Sequence, residues 1–397
     1  MVSSLDLKYY AEYLPRINSI SVCIQFHSFY TITGIKLDSA NSILITFNNT
    51  KNETINLSHG VPSRLVNTDL FSSLNTNENE KERVMTVSFK LPSSINRGRG
   101  DNFQNRNDRS INFLMHSFND NEIWSKKYLL QGNKNSQFCL SCAECGETII
   151  SSDKINKLND MPSESWSEMM DFWHCHKPDS ENGKNEHTFN SKRYSVLKPS
   201  KNSVIIGNYY FLINMKDFES LIIVDSIPIC FKCHCQLGKV ESDNKLVKLY
   251  KWNFKLNNKE TFRPYYHSFN VLIDSINSNA SRFFKIYDEK NDEIIRLVLW
   301  IFSFGINITN QSEGKIRENC LKIMFNHDLK FITENANEQF NNFEPLYFPS
   351  IVVEDLLQEI TQNNNRLPQD LQHLNFWNII IVNKSADELA DKSAVVL

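Results

Sequence analysis

The chain has 397 residues, of which 41% are hydrophobic, so it is long enough for two or three modules that each bury a core. Its formal net charge of −3 gives no long-range field that would attract nucleic acid or an acidic membrane. The most apolar run, residues 294–308, contains Arg296 and is shorter than the roughly 20 residues of a membrane-spanning helix. We therefore expect a globular protein without a membrane span and without a strong nucleic-acid signal.

Near the N-terminus, three short stretches alternate apolar and polar side chains, as half-buried strands do. They lie at 20–26, 43–47 and 85–89. Segments rich in Asn, Ser and Gly separate them, which favours an antiparallel sheet or sandwich over a parallel α/β layout. The pattern predicts an N-terminal antiparallel β domain over residues 1–130.

Residues 93–109 are polar and contain an Arg-Gly-Arg-Gly segment, which predicts a loop. An RNA-binding role is a third-ranked hypothesis. It predicts a steep salt dependence of RNA affinity, carried by Arg97, Arg99, Arg106 and Arg109.

The first 16 residues contain an acid and a base where a secretory signal has an apolar core, so we expect a reducing compartment. The nine cysteines are then thiols or metal ligands rather than disulfides, and their odd number agrees. Cys23 and Cys320 stand alone in the sequence and are expected to be small buried apolar residues.

Cys139, Cys142 and Cys145 form two overlapping Cys-x-x-Cys pairs. Two residues between ligands let backbone N–H groups turn toward the sulfurs, and a following glycine lets the chain leave the turn. Gly146 follows Cys145, whereas no glycine follows Cys142. This favours Cys142 with Cys145 as the metal-binding pair and leaves Cys139 outside it.

A second cluster contains Cys230, Cys233 and Cys235, followed by Leu237-Gly238. Two Cys-x-x-Cys turns on separate hairpins can close a tetrahedral four-thiolate site, for which zinc is the typical ion. We predict one structural zinc on Cys142, Cys145, Cys230 and Cys233, with Cys235 as an alternative ligand. Six reduced core cysteines without metal are the competing interpretation.

The segment Trp173-His174-Cys175-His176 follows a helix-like piece with a capping box. Three interpretations stay open. Cys175 and His176 join a second zinc site with Cys139 or Cys235; Cys175 is a reactive thiolate tuned by its histidine neighbours; or the segment packs under the zinc hairpins.

In the C-terminal part, strands are predicted at 247–256, 296–309 and 375–382. A helix is predicted at 352–360, where four apolar and three acidic side chains take opposite faces. These are Val353, Leu356, Leu357 and Ile360 against Glu354, Asp355 and Glu359. The fold class is therefore α+β, mainly β, with a central zinc module at 131–245 and a C-terminal α+β domain at 246–390.

The order of these motifs resembles the HECT-like ubiquitin-ligase family, described by its binding to a mitotic ubiquitin-conjugating enzyme. The motifs are Cys142-x-x-Cys145-Gly146-Glu147, Pro162 to Trp166, Trp173 to His176, and Cys230-x-x-Cys233 with Leu237-Gly238. Weaker similarities continue to residue 382. The two cysteine turns also look like the zinc-bearing β-tent of cereblon-type and Yippee-type domains, which supports the four-cysteine ligand set and implies a β-tent-like central module.

The family resemblance implies ubiquitin transfer to protein substrates with a ubiquitin-conjugating enzyme as partner. It also implies a location in the nucleus and cytoplasm. The fungal branch is linked to messenger-RNA cleavage and polyadenylation through its metallo-β-lactamase endonuclease. A non-enzymatic assembly factor for that nuclease is thus the alternative function.

One departure from true HECT ligases concerns mechanism, because those enzymes carry an exposed acceptor cysteine near the C-terminus. Here the C-terminal cysteine is Cys320, whose apolar neighbours place it in a core. Cys175 is then a weak candidate for a covalent intermediate, and scaffolding without a catalytic cysteine is the favoured route.

Overall fold

The computed structural model describes residues 7–48, 51–70, 74–94, 123–131, 137–161, 199–241, 246–310 and 316–382. These residues fall into two compact units. One unit takes the described residues within Met1–Ser117 and Leu272–Lys384, and the other takes those within Phe118–Val271.

The first unit contains 13 described strands. They are β1 Lys8–Leu14, β2 Ser19–His27, β3 Ile32–Ser39, β4 Ser42–Phe47, β5 Asn52–Asn56, β6 Asn75–Asn79, β7 Val84–Pro92, β19 Phe283–Asp288, β20 Asn291–Asn310, β21 Ile316–Asn326, β22 Glu344–Phe348, β23 His373–Leu374 and β24 Trp377–Val382.

The second unit contains the remaining 11 described strands. They are β8 Cys139–Cys142, β9 Thr148–Ser151, β10 Lys157–Asp160, β11 Ser203–Ile206, β12 Tyr210–Asn214, β13 Leu221–Val224, β14 Ile227–Cys230, β15 Gly238–Val240, β16 Leu246–Tyr250, β17 Phe254–Leu256 and β18 Glu260–Thr261. The described α-helices are α1 Lys126–Gln131, α2 Tyr265–Asn279, α3 Leu329–Asn335 and α4 Ser350–Arg366.

A ten-stranded sheet runs through the first unit in the order β23-β24-β21-β20-β1-β2-β7-β6. Strand β19 also pairs with β20, and β22 pairs with β19. Strand β1 pairs with both β2 and β20, so residues from the two ends of the described chain share one sheet. The N-terminal strands pair antiparallel, as predicted, whereas β19 and β22 are parallel. The mainly β, α+β class is confirmed.

The alternating stretches predicted near the N-terminus are strands β2, β4 and β7. Their apolar side chains form one buried cluster that joins the large sheet to the three-stranded sheet β3-β4-β5. The rings of Phe26 on β2 and Phe47 on β4 meet edge to face, with centroids 5.3 Å apart. Of the two alternatives that the sequence left open, an antiparallel sheet or a sandwich, this packing is the sandwich.

The helix predicted at 352–360 lies inside α4, but one residue was assigned to the wrong face. Glu359 is buried, with 2% of its surface exposed, and its Oε1 accepts a hydrogen bond from Asn363 at 2.8 Å. The buried face of α4 includes Val352 and Glu359, whereas Leu357 is only half-buried. The three-and-four spacing finds an apolar stripe but does not fix its edges, which depend on what packs there.

Three sheets make up the second unit: the five-stranded β10-β11-β12-β16-β15, the four-stranded β18-β17-β8-β9 and the two-stranded β13-β14. The strands predicted within 247–256 are β16 and β17. Among the described residues, no helix is long and apolar enough to cross a membrane.

Candidate metal centre

The two predicted Cys-x-x-Cys turns extend from different sheets. Cys142 ends β8 in the four-stranded sheet, and Cys230 ends β14 in the two-stranded sheet. Both turns close with the same hydrogen bond. The N–H of Gly146 donates to the carbonyl of Cys142 at 3.0 Å, and the N–H of His234 donates to that of Cys230 at 2.9 Å.

Backbone N–H groups inside each turn point at its first sulfur. The N–H groups of Glu144 and Cys145 donate to Cys142 Sγ, and those of Lys232 and Cys233 donate to Cys230 Sγ. This is the arrangement that the two-residue spacing predicts. N–H donors favour the thiolate form of a sulfur and so suit a cation-binding site.

The turns bring four sulfurs together. The Sγ atoms of Cys142, Cys145, Cys230 and Cys233 all lie within 4.8 Å of one another. Two of the separations, Cys142 to Cys233 and Cys145 to Cys230, are 3.6 Å. A tetrahedral zinc with Zn–S bonds of about 2.3 Å would set its sulfurs about 3.8 Å apart. The four thiols therefore fit a tetrahedral ion of this size.

The ionisation of these thiols differs with their surroundings. Burial raises the pKa of Cys142 and of Cys230 to about 12. The backbone N–H of Cys235 donates to Cys233 Sγ and lowers the pKa of that thiol to about 6. A bound cation favours the thiolate at each position, because the positive charge offsets the cost of burying a negative sulfur.

Cys235, the alternative ligand, lies beside the cluster. Its Sγ is 3.2 Å from that of Cys142, which is shorter than the spacing of two sulfurs on one tetrahedral ion. Cys139 begins β8, where its backbone exchanges hydrogen bonds with Asn257. Among the described residues, the group that could share an ion consists of the four predicted cysteines.

The position after each turn needs a left-handed backbone. Gly146 supplies it with a φ of 73°, whereas His234 occupies the equivalent position with a φ of 60°. Gly238, which the sequence pattern paired with the second turn, serves another purpose. A Cβ at Gly238 would lie 1.8 Å from the carbonyl oxygen of Lys248, so the glycine allows β15 to pair closely with β16.

No glycine marks His234 in the sequence. Its signal is its spacing, because His234 stands four residues after Cys230 as Gly146 stands four residues after Cys142.

The lone cysteines are buried, as predicted. Cys23 is 4% exposed and Cys320 is 0% exposed, and burial raises the pKa of each thiol to about 12. A buried, protonated thiol cannot accept ubiquitin from another protein.

The candidates His174, Cys175 and His176, and the arginines between 97 and 109, lie outside the described residues.

Comparison with known proteins identifies the family of this chain. The sequence model of the HECT-like ubiquitin-conjugating enzyme (E2)-binding family matches residues 12–379, nearly the whole chain. The chain belongs to this family. The match includes both cysteine turns and both ends of the ten-stranded sheet.

Two groups of relatives accompany that match. An uncharacterised protein of Saccharomyces cerevisiae is 28% identical over 389 residues, which are 94% of this chain and 98% of that protein. An E3 ubiquitin-protein ligase of Mus musculus is 23% identical over 60% of this chain and 69% of the relative, and its namesake in Homo sapiens is 20% identical over 63% and 74%. No solved structure matches the chain.

Proposed function

We propose that the protein binds a ubiquitin-conjugating enzyme and promotes ubiquitin transfer to protein substrates as a scaffold held by one structural zinc ion. The observation that carries this proposal is the closed cluster of Cys142, Cys145, Cys230 and Cys233 in a chain of the E2-binding family. Four sulfurs fill a tetrahedral coordination sphere and leave no position for an activated water.

The cluster would connect two sheets that come from distant parts of the sequence. Closing such a site contributes on the order of 10 kcal/mol to folding, comparable to the net stability of a domain. Zinc suits the site because it accepts four thiolates and has no redox chemistry. The site would therefore shape a surface rather than perform chemistry.

Six of the eight described thiols are unsuited to accept ubiquitin, because Cys23 and Cys320 are deeply buried and four others lie in the cluster. The other two, Cys139 and Cys235, are half-buried. A conjugating enzyme carries ubiquitin on its own cysteine, so a scaffold that orients this enzyme needs no acceptor thiol. Binding to the polyadenylation nuclease, and the location in nucleus and cytoplasm, stay predictions from the sequence.

A discharge assay tests the proposal. Purified protein is added to a conjugating enzyme charged with labelled ubiquitin, and loss of the thioester is followed together with any adduct on the added chain. We expect faster transfer to lysine without a reducible adduct, and equal rates for wild type, Cys175→Ala and the control Cys139→Ala.

Two results would contradict it. A reducible ubiquitin adduct lost in Cys175→Ala, but kept in Cys139→Ala, would replace the scaffold with a covalent route. The absence of any acceleration with every conjugating enzyme of a broad panel would remove the proposed function itself.

A further inference from the structure

The hairpin of β13 and β14 carries apolar side chains on both of its faces. In its register Leu221 faces Cys230 and Ile223 faces Pro228, and this side is mostly buried. The opposite side contains two cross-strand pairs, Ile222 with Ile229 and Val224 with Ile227. A hairpin with one face in water normally places polar residues there.

That outer side is accessible. Val224 is 46% exposed and Ile227 is 39% exposed, while Ile222 and Ile229 are half-buried. Phe231, the first residue after the hairpin and part of the second cysteine turn, is 64% exposed. Single exposed apolar residues are common, but three exposed and two half-buried ones on and directly after one short hairpin mark an interaction surface. We call these five residues the hairpin face.

The hairpin has a tight turn at its tip and is tied to the cysteine cluster at its base. Asp225 and Ser226 at its tip both have positive φ, as in a two-residue type I′ turn. At its base, Cys230 contributes a sulfur to the cluster, and Phe231 N–H donates to the carbonyl of Ser220 at 3.1 Å. A free two-stranded hairpin is marginally stable in water. Here β14 is also held by the cluster, by a bridge between Ile229 and Gln236, and by the N–H of Leu237, which donates to the carbonyl of Pro228 at 2.8 Å.

We propose that the hairpin face is the contact surface for the ubiquitin-conjugating enzyme, an inference that rests on the proposed function. The family that binds this enzyme is matched over residues 12–379, which include the whole hairpin. Charge around the face is mixed, since the exposed Lys232 is paired with Glu147 at 3.6 Å. The partner surface is therefore an apolar one, without a requirement for net charge.

The size of the face distinguishes this partner from a second copy of the chain. Five aliphatic and aromatic side chains cover on the order of a few hundred Å², whereas a stable dimer interface buries about 800 Å² on each partner. A small apolar contact suits a partner that must leave after each transfer so that a recharged enzyme can bind.

Affinity measurements with matched variants test the inference. Ile227→Glu and Phe231→Ala alter the hairpin face, while Ile17→Glu and Phe29→Ala make the same changes at exposed residues elsewhere, 59% and 73% accessible. Binding to purified ubiquitin-conjugating enzymes is measured by calorimetry, and metal content and circular dichroism verify the fold. We expect both hairpin variants to weaken binding at least about tenfold and both controls to stay within about twofold.

The measurements distinguish failure of the hairpin face from failure of the proposed function. If wild type binds and the folded, metal-loaded hairpin variants bind equally well, the hairpin face is not the contact and the proposed function stands. If wild type binds none of the enzymes tested, the proposed function fails as well. A wild-type dimer that Ile227→Glu converts to monomers would assign the face to self-association instead.

Discussion

Single residues set the geometry of the two cysteine turns, and sequence reasoning identified most of them. The Cys-x-x-Cys spacing indicated the four sulfurs that lie together. Gly146 favoured Cys142 over Cys139, and Cys142 is the residue whose sulfur lies with that of Cys145. No glycine marks His234, and a histidine by itself does not predict a left-handed backbone. Its signal in the sequence is its spacing, four residues after Cys230.

Gly146 and His234 occupy equivalent positions with left-handed backbone. Adding a side chain at Gly146 and removing the one at His234 should therefore change the free energy of unfolding in opposite directions. Gly146→Ala is expected to cost about 1–2 kcal/mol through backbone strain alone, because a Cβ there meets nothing within 4 Å. His234→Gly is expected to be neutral or to stabilise by up to about 1 kcal/mol, since glycine removes the strain but adds flexibility to the unfolded chain.

Chemical denaturation of the metal-loaded protein measures both changes. An unchanged denaturation midpoint in Gly146→Ala, or a clear loss of stability in His234→Gly, would show that the left-handed turn does not limit stability at these positions.

At the scale of elements, alternation of side chains predicted the N-terminal strands well, because each has one face in a core and one outside it. Side-chain patterns do not identify an element whose two faces are both covered or both apolar. Glu359, predicted to be exposed, is buried on α4, and the hairpin β13-β14 has apolar side chains that do not alternate with polar ones. In both cases burial depends on the neighbouring elements, which come from elsewhere in the sequence.

The pairing of β15 with β16 should tolerate no side chain at Gly238. A Cβ there would lie 1.8 Å from the Lys248 carbonyl oxygen and 2.9 Å from Leu249 Cα, both backbone atoms that cannot rotate away. We expect Gly238→Ala to destabilise the protein by about 3 kcal/mol, at the upper end for overpacking.

Gly34→Ala in β3 is the matched control, because its Cβ would meet Thr46 Cβ at 3.9 Å, an ordinary contact. Thermal unfolding of the two variants compares them directly. Equal stability of Gly238→Ala and Gly34→Ala would mean that β15 can move away from β16 without cost.

At the scale of the molecule, class and family followed from the sequence, whereas the main long-range pairing did not. Strand β1 lies between β2 and β20 through backbone hydrogen bonds to residues near 310. Such hydrogen bonds are made by backbone groups that nearly every residue carries, so the side chains of β1 do not identify its partner strand. The cysteines are the exception, since their chemistry makes distant partners recognisable.

In the proposed scaffold, one metal ion on four cysteines holds the surface that binds a ubiquitin-conjugating enzyme. Native mass spectrometry measures the metal content of wild type, Cys142→Ser and Cys139→Ser, and the affinity of each for the enzyme is measured alongside. We predict one zinc per chain in wild type and in Cys139→Ser, and its loss together with enzyme binding in Cys142→Ser. A folded wild-type chain that binds the enzyme without any metal, or a Cys142→Ser variant that keeps both zinc and binding, would show that the four-cysteine site does not hold the enzyme-binding surface.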